Sequence, residues 1–360
     1  MRIFYRITPV SVLFFRDPKP FMAGEQSLGR LLFPPRLTPF LGALRTKLLE
    51  DRAKAEGKKI PEIFNNYEQQ LRSISIIWFS IIKDNKPLLP LPFDTFTKWQ
   101  LLTDDRFVFE KASDKEQMLK VPISNLKAYK TSSNPASYIT IEGFCEYQNG
   151  SIPFADELFK TTELWEFENR VGITLNPELK TTERSKFYRL TVARLKQGVS
   201  FLVGVEHDDR IDLPETFTTC LGGEGHIAVW EKEDKVSGQL TEKLPHFKEI
   251  VALTHIPIKN TENPGFEIQN WCINKLDIIS GWDYREHRPK PLVKALKPGT
   301  VITVKRSGNV TPCKAYEIDF DGVKLTVIKN LTLSMKEEKI YLTDFMPDLG
   351  EPDSLFIVKN

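Results

Sequence analysis

Three of the four positions 222–225 in Leu221-Gly222-Gly223-Glu224-Gly225-His226 are glycine, and this run constrains the chain more than any other. Asp212-Leu213-Pro214-Glu215 just before it has an acidic N-cap, a first-turn proline and a glutamate at the third helical position, which predicts a short helix over 213–221. Gly222 then falls at the C-cap, and Ile227-Ala228-Val229-Trp230 reads as the following strand. Glycines this dense leave backbone N–H groups uncovered and let another chain approach closely, which suits phosphate oxygens. A tight turn needs one glycine or two, so the third points to a ligand-facing loop. A helix C-terminus repels anions, so phosphate binding here calls for Arg or Lys nearby.

With 360 residues, 41% of them hydrophobic, the chain has room for two domains with separate cores. Fifty Lys and Arg face 48 Asp and Glu, so net charge argues for no nucleic-acid partner and only local clusters can. Twenty-four prolines and 24 phenylalanines favour short strands and surface loops over a helical bundle. Cys145, Cys220, Cys272 and Cys313 form no C-x-x-C pair, which excludes a zinc ribbon and fits a reducing compartment. Met1 to Arg6 is strand-like and lacks the features of a signal peptide, and no apolar run approaches the roughly 18 residues of a membrane span. A soluble, cytoplasmic protein is expected.

Strands are predicted at 3–7 and 10–15, and a helix capped by Thr38 with Pro39 first and Leu41, Leu44, Leu48 and Leu49 on its buried stripe. Residues 50–70 read as its polar continuation and a loop, 73–82 and 138–147 as strands, and 94–135 as an irregular insertion. Two strands, 187–195 and 199–205, follow a polar excursion at 174–186 that is expected to protrude. Further strands are expected within 250–258 and 301–304, and a loop over 344–353. Strand, strand, helix, strand in the second half matches part of a β-α-β-β-α-β unit, and the first half has a similar mixture. The expected fold is α+β with two such units, at 1–150 and 151–360.

No G-x-x-x-x-G-K-[ST], G-x-G-x-x-G or H-E-x-x-H motif occurs, which sets aside a P-loop NTPase, a Rossmann enzyme and a zincin. His207-Asp208 resembles the pair of a metal phosphohydrolase but reads better as a solvated turn. Metal-independent RNA cleavage is the alternative activity, with His226 and His246 as its candidate acid and base. Binding has the broader support. Arg16, Arg30, Arg36 and Arg45 cluster early, Arg170, Arg184, Lys186 and Arg189 around the excursion, and Arg285, Arg288, Lys290 and Lys294 late. Phe14, Phe15, Phe33, Phe187, Tyr188, Trp282 and Tyr284 are interleaved with them, giving cations for phosphate and rings for base stacking. The candidate RNA contacts are Arg16, Arg36, Arg45, Arg170, Arg184, Lys186, Gly222, Gly223, Gly225, His226, Trp282, Arg285 and Lys290, with no catalytic residue, metal or cofactor.

Phe14-Phe15-Arg16-Asp17-Pro18-Lys19-Pro20-Phe21 with Gly24, Phe33-Pro34-Pro35 with Thr38 and Gly42-Ala43-Leu44-Arg45, Arg170-Val171-Gly172-Ile173, Gly222-Gly223-Glu224-Gly225, and Gly281-Trp282-Asp283 with Pro289-Lys290-Pro291 occur in this order. Together they resemble the third subunit family of the Cmr module, RAMP proteins of type III-B CRISPR effector complexes, from the N-terminus to about residue 305. The resemblance implies two ferredoxin-like (RRM-related) RAMP folds with insertions. It further implies a non-catalytic subunit that grips the 5′ repeat-derived tag of a crRNA and docks to the large palm-domain subunit and to neighbouring RAMP backbone subunits. The glycine loop then lies by the RNA, residues 174–186 correspond to a hairpin thumb that splays the tag from the guide, and the Phe-Arg-Asp and Trp-Asp segments belong to fold and tag contact. Two features depart from the family: 94–135 matches no pattern, and His226 stands where a basic residue is commoner.

Overall fold

The computed structural model of the chain describes residues 1–17, 28–99, 107–111, 136–149, 153–175, 182–241, 247–258, 266–283, 288–305, 314–329, 331–336, 339–344 and 354–359. Its first half is organised by β1 (Arg2–Pro9), which is buried on both faces. Tyr5 and Ile7 face a helix-covered side, where the Tyr5 ring meets Phe217 and Trp230 edge-on at 5.3 and 5.8 Å. Phe4 faces the opposite way, so close to Gly204 that a Cβ there would come within 2.6 Å of its ring.

In chain order the elements are then β2 (Leu28–Gly29), α1 (Leu37–Glu56), α2 (Ile60–Ser73), β3 (Ser75–Lys83), β4 (Lys86–Pro90), β5 (Thr95–Trp99) and β6 (Phe107–Lys111). They continue with β7 (Tyr138–Thr140), α3 (Ile141–Gln148), β8 (Leu158–Phe159), α4 (Thr161–Leu164), β9 (Trp165–Leu175), β10 (Thr182–Leu195), β11 (Val199–Glu206), β12 (Thr216–Cys220) and β13 (Ile227–Lys232). One eight-stranded sheet runs β12-β13-β1-β11-β3-β4-β7-β8, and β1 is antiparallel to both β11 and β13. Helix α1 covers one face, its Phe40 wedged among Phe79, Phe201 and Trp230. The other face meets the second sheet, where Trp78 and Phe320 lie 4.7 Å apart. That sheet has nine strands in the order 236–241, 315–320, 323–329, 355–359, 249–252, 301–305, 266–272, 339–344 and 331–336.

Several expectations change. Residues 213–221 are not a helix: β12 alternates exposed Thr216, Thr218 and Cys220 with buried Phe217 and Thr219, and that period of two overrides the capping signal at Asp212. The run 10–15 is not a strand: its one backbone pairing with β10 among the described residues is an isolated Leu13–Ala193 bridge. The N-cap of α1 is Arg36, two residues before the expected Thr38, so the helix begins at Leu37 and runs on to Gly57, whose φ of +64° ends it; α2 occupies what read as loop. Residues 138–147 are a strand of three residues and then a helix, because the Thr140 hydroxyl accepts from Gly143 N–H at 3.1 Å and caps α3. Within 94–135, β5 and β6 pair antiparallel and most of the remainder lies outside the described residues, as does nearly all of 344–353.

A boundary at 150 cuts through the first sheet, since β11, β12 and β13 complete it. The order β13-β1-β11-β3 with α1 in the first crossover is that of one β-α-β-β-α-β unit, its second crossover carrying β12 in place of a helix. Beyond residue 165 the described residues contain no helix, so a second complete unit of that kind is not seen among them.

Candidate nucleic-acid interface

Strands β9 and β10 form a long antiparallel hairpin, with Trp165 opposite Leu195 and Thr182 opposite Leu175, so 174–175 and 182–186 of the predicted excursion continue a ribbon, while 176–181 lie outside the described residues. β2 adds to it in parallel, with Leu28 opposite Arg189. The N-terminal segment is laid along the same ribbon by two bonds between Leu13 and Ala193, at 2.7 and 2.9 Å, and Val12, Phe14, Leu190 and Val192 form a small separate core beneath it.

The glycine loop connects β12 to β13 and seats on this segment. Gly223 N–H donates to the Phe14 carbonyl at 2.8 Å, and Leu221 N–H to His226 O at 2.7 Å. Gly222 has φ of +81°, and a Cβ there would lie 2.5 Å from the Phe14 carbonyl; at Gly223 a Cβ would lie 3.1 Å from the Phe14 ring. These two glycines therefore serve the packing of Phe14 and Phe15. Gly225, with φ of +66°, would meet nothing within 4 Å, so it is the glycine that leaves room for an approaching chain. The loop follows a strand and not a helix, so no helix dipole opposes an anion here.

Gly225→Ala should consequently cost only about 1 kcal/mol of stability, the strain of a left-handed alanine. If RNA approaches this backbone, the same change lowers RNA affinity by more than that strain accounts for; thermal melts and RNA titrations of one preparation check both.

His226 sits at the loop's end, its Nδ1 3.5 Å from Ser11 Oγ. Partial burial and then the Arg170 guanidinium hold its pKa below the ordinary histidine value, so the ring is neutral near pH 7. Among the described side chains around this loop and ribbon, exposed cations include Arg16, Arg30, Arg170 and Arg189, and exposed apolar ones include Val10, Phe167, Val171 and Ile227. Arg170 and Arg194 both bond Glu168, while among the described residues no ion pair engages Arg30 or Arg189. Phe167, 57% exposed, and Arg194 did not stand out in the sequence; the alternation from Trp165 to Val171 was the signal, since it puts Phe167, Asn169 and Val171 on one strand face.

Other candidates fall elsewhere. Arg36 is buried at 8% exposure, and Arg45 donates to the Leu71 and Ile74 carbonyls at 2.9 Å each, closing the C-terminal end of α2. Their guanidinium groups work inside the fold, which removes both from the RNA-contact set. Arg45→Ala should cost about 2 kcal/mol, the loss of two charge-assisted bonds, and leave RNA affinity of the folded protein unchanged; denaturant melts and RNA titration separate the two effects. Arg184 and Lys186 lie on β10, and Trp282–Asp283 pairs with Arg288–Pro289. Lys290 N–H donates to Gly281 O at 2.9 Å, which fixes that ribbon's end. Arg285 and His246 lie outside the described residues.

His207 is buried and not solvated as the turn reading expected, its backbone N–H donating to Met1 O at 3.0 Å, while the Asp208 carboxylate accepts from Arg210. Among the described residues no cluster of His, Cys, Asp or Glu could hold a metal ion, and no helix is long and apolar enough to cross a membrane.

Strand order, ribbon and loop define a strand-rich α+β protein whose N-terminal segment, hairpin and glycine turn form one surface. Residues 5–318 match the family of CRISPR-associated proteins Cas_Cmr3, and the chain belongs to that family, which makes it a RAMP-like subunit of the type III CRISPR class. Curated proteins give no match. Among solved structures it is similar to a chain of the type III-B Cmr-beta complex bound to cognate target RNA, with 18% identity, TM-score 0.49, and 83% of this chain and 86% of that chain covered. It is also similar to a chain of the Csm3–Csm4 subcomplex of the type III-A interference complex, with 14% identity, TM-score 0.41, and 91% and 98% covered. A chain of the Csm1–Csm4 cassette with AMPPNP gives 11% identity, TM-score 0.34, and 88% and 94% covered.

Proposed function

We propose that this chain is the non-catalytic crRNA-holding subunit of a type III-B antiviral ribonucleoprotein of the cytoplasm. It grips the single-stranded 5′ tag across the surface made by the 10–17 segment, the β9–β10 hairpin and the glycine turn, while docking to the large palm-domain subunit and neighbouring RAMP subunits. The observation that carries the reading is convergence: segments far apart in sequence are hydrogen-bonded into one surface, Leu13 to Ala193 and Phe14 to Gly223, with exposed arginines beside exposed Phe167, Val171 and Ile227. Cations for phosphate and an aromatic face for a base are what a single strand needs. The hairpin lies between tag and guide, and the β13-β1-β11-β3 sheet with α1 is the ferredoxin-derived unit that carries it.

Family membership supports the RNA partner, and the scaffold and nuclease readings are separated by experiment. Ultraviolet crosslinking of the assembled complex should join crRNA to peptides covering 10–16, 165–195 and 221–227. Crosslinks confined to α2 or to the 207–215 turn would reject the surface, and metal-free cleavage of repeat RNA by the pure chain would reject the scaffold in favour of an endoribonuclease.

A further inference from the structure

The alternation on β9 that exposes Phe167 also exposes Asn169 and Val171, and across the hairpin these three pair with Ala193, Thr191 and Arg189 in turn. Ala193 brings only a methyl group to its pair, and half-buried Phe33 meets the Phe167 ring edge-on, with centroids 6.4 Å apart at 84°. The ring is thus held in place while Phe167 stays 57% exposed. Asn169 is held as well. Thr191 Oγ1 donates to Asn169 Oδ1 at 3.0 Å across the strand pair, which turns the acceptor side of the amide toward β10 and its NH₂ group away from it. Among the described residues that is the amide's only hydrogen bond, so what exposed Asn169 has left to offer a ligand is a donor.

We propose, resting on the RNA-gripping reading above, that Asn169 discriminates between bases: a base stacked on Phe167 turns its edge to the Asn169 NH₂, and the seat takes uracil, cytosine or guanine in preference to adenine. Spacing permits it. Neighbours on one strand face are about 7 Å apart, so a base lying on the Phe167 ring ends within reach of the next side chain. Uracil O2 and O4, cytosine O2 and guanine O6 are carbonyl oxygens that accept from an NH₂ group. Adenine has no carbonyl, and its amino group flanks N1 and N7, so the amide would meet it donor against donor. Stacking tolerates every base, since each has a π face; Phe167 therefore supplies affinity and Asn169 the preference. Thr191 is the positioning residue, because an amide free to rotate offers a donor or an acceptor equally and discriminates little. Arg189, one pair further along the same face, is placed for a phosphate of the same strand.

Octauridylate and octaadenylate titrated onto the folded full chain test this, because every register of a homopolymer puts the same base on the seat. The readout is the ratio of the two affinities, compared between variants so that self-stacking of the adenylate strand cancels. Asn169→Ala should move the ratio about three- to tenfold toward adenine, the loss of one hydrogen bond to uracil. Asn169→Asp, which presents an acceptor in place of the donor, should move it further the same way. Thr191→Val, which frees the amide, should also move it toward adenine although Thr191 makes no contact with the base. Phe167→Ala should weaken both oligomers alike, by about fivefold or more. A ratio that is the same in wild type, Asn169→Ala and Asn169→Asp overturns the assignment, and so does a ratio that moves toward uracil. If both oligomers bind and the ratio stays fixed, only this inference falls; if neither binds the wild type, the RNA-gripping reading falls with it.

Discussion

Phe40→Ala should destabilise the protein by about 3–5 kcal/mol, the cost of truncating a fully enclosed aromatic ring. Phe40 has no exposed surface and sits where α1 crosses the first sheet, with ring centroids 5.2 Å from Phe201 on β11, 5.3 Å from Phe79 on β3 and 6.5 Å from Trp230 on β13. Three strands that are distant in sequence share it, so the surrounding backbone has little freedom to collapse into the vacancy. A domain of ordinary stability holds only about 5–15 kcal/mol in all, so the variant should melt well below the wild type. It should also lose the seating of the glycine turn, because β12 and β13 rest on the same core. Phe40→Leu, which keeps most of the volume, should cost far less. Chemical denaturation of both variants measures this, and equal midpoints would show that the ring is not central to the core.

What the sequence could show about this fold follows from the range of each signal. The amphipathic stripe of Leu41, Leu44, Leu48 and Leu49 and the Ile and Ser alternation in 73–82 are local and strong, and both elements formed, as α1 and as a strand over 75–83. The error at 213–221 came from a local signal too: Asp212, Pro214 and Glu215 look like a helix start, yet Tyr5 Oη donates to the Pro214 carbonyl at 2.8 Å and Phe217 stacks on Trp230. Those tertiary contacts hold the segment extended, and no window of neighbouring residues contains them. The motifs at 14–17, 170–173 and 222–225 were legible as motifs. Their joining was not, because it rests on single backbone bonds such as Gly223 N–H to Phe14 O, which leave no side-chain pattern. For the same reason Arg36 and Arg45 could not be told from surface arginines: a guanidinium that binds carbonyls across the fold has the same sequence neighbourhood as one in water.

Arg170 and Arg189 carry the second large effect. They lie on paired strands, with Val171 directly opposite Arg189 and Leu190 opposite Arg170, and both are exposed on the ribbon that the glycine turn adjoins. If each meets one phosphate, replacing both by alanine should weaken binding of tag RNA by about 10²-fold, since a hydrogen bond to a charged group contributes about 1.5–3 kcal/mol. Salt dependence tests this more sharply than affinity alone, because each lost phosphate contact lowers the slope of log K against log salt by about 0.7–0.9. The Arg170 pairing with Glu168 at 3.2 Å is exposed and does little to hold the hairpin, so the double variant should fold normally. The decisive measurement is therefore a titration of single-stranded tag RNA onto folded wild type and Arg170→Ala/Arg189→Ala across a range of salt. The RNA-gripping account predicts a loss of about 10²-fold and a slope shallower by about 1.4–1.8 in the variant; equal affinity and equal slope in a correctly folded variant would contradict it.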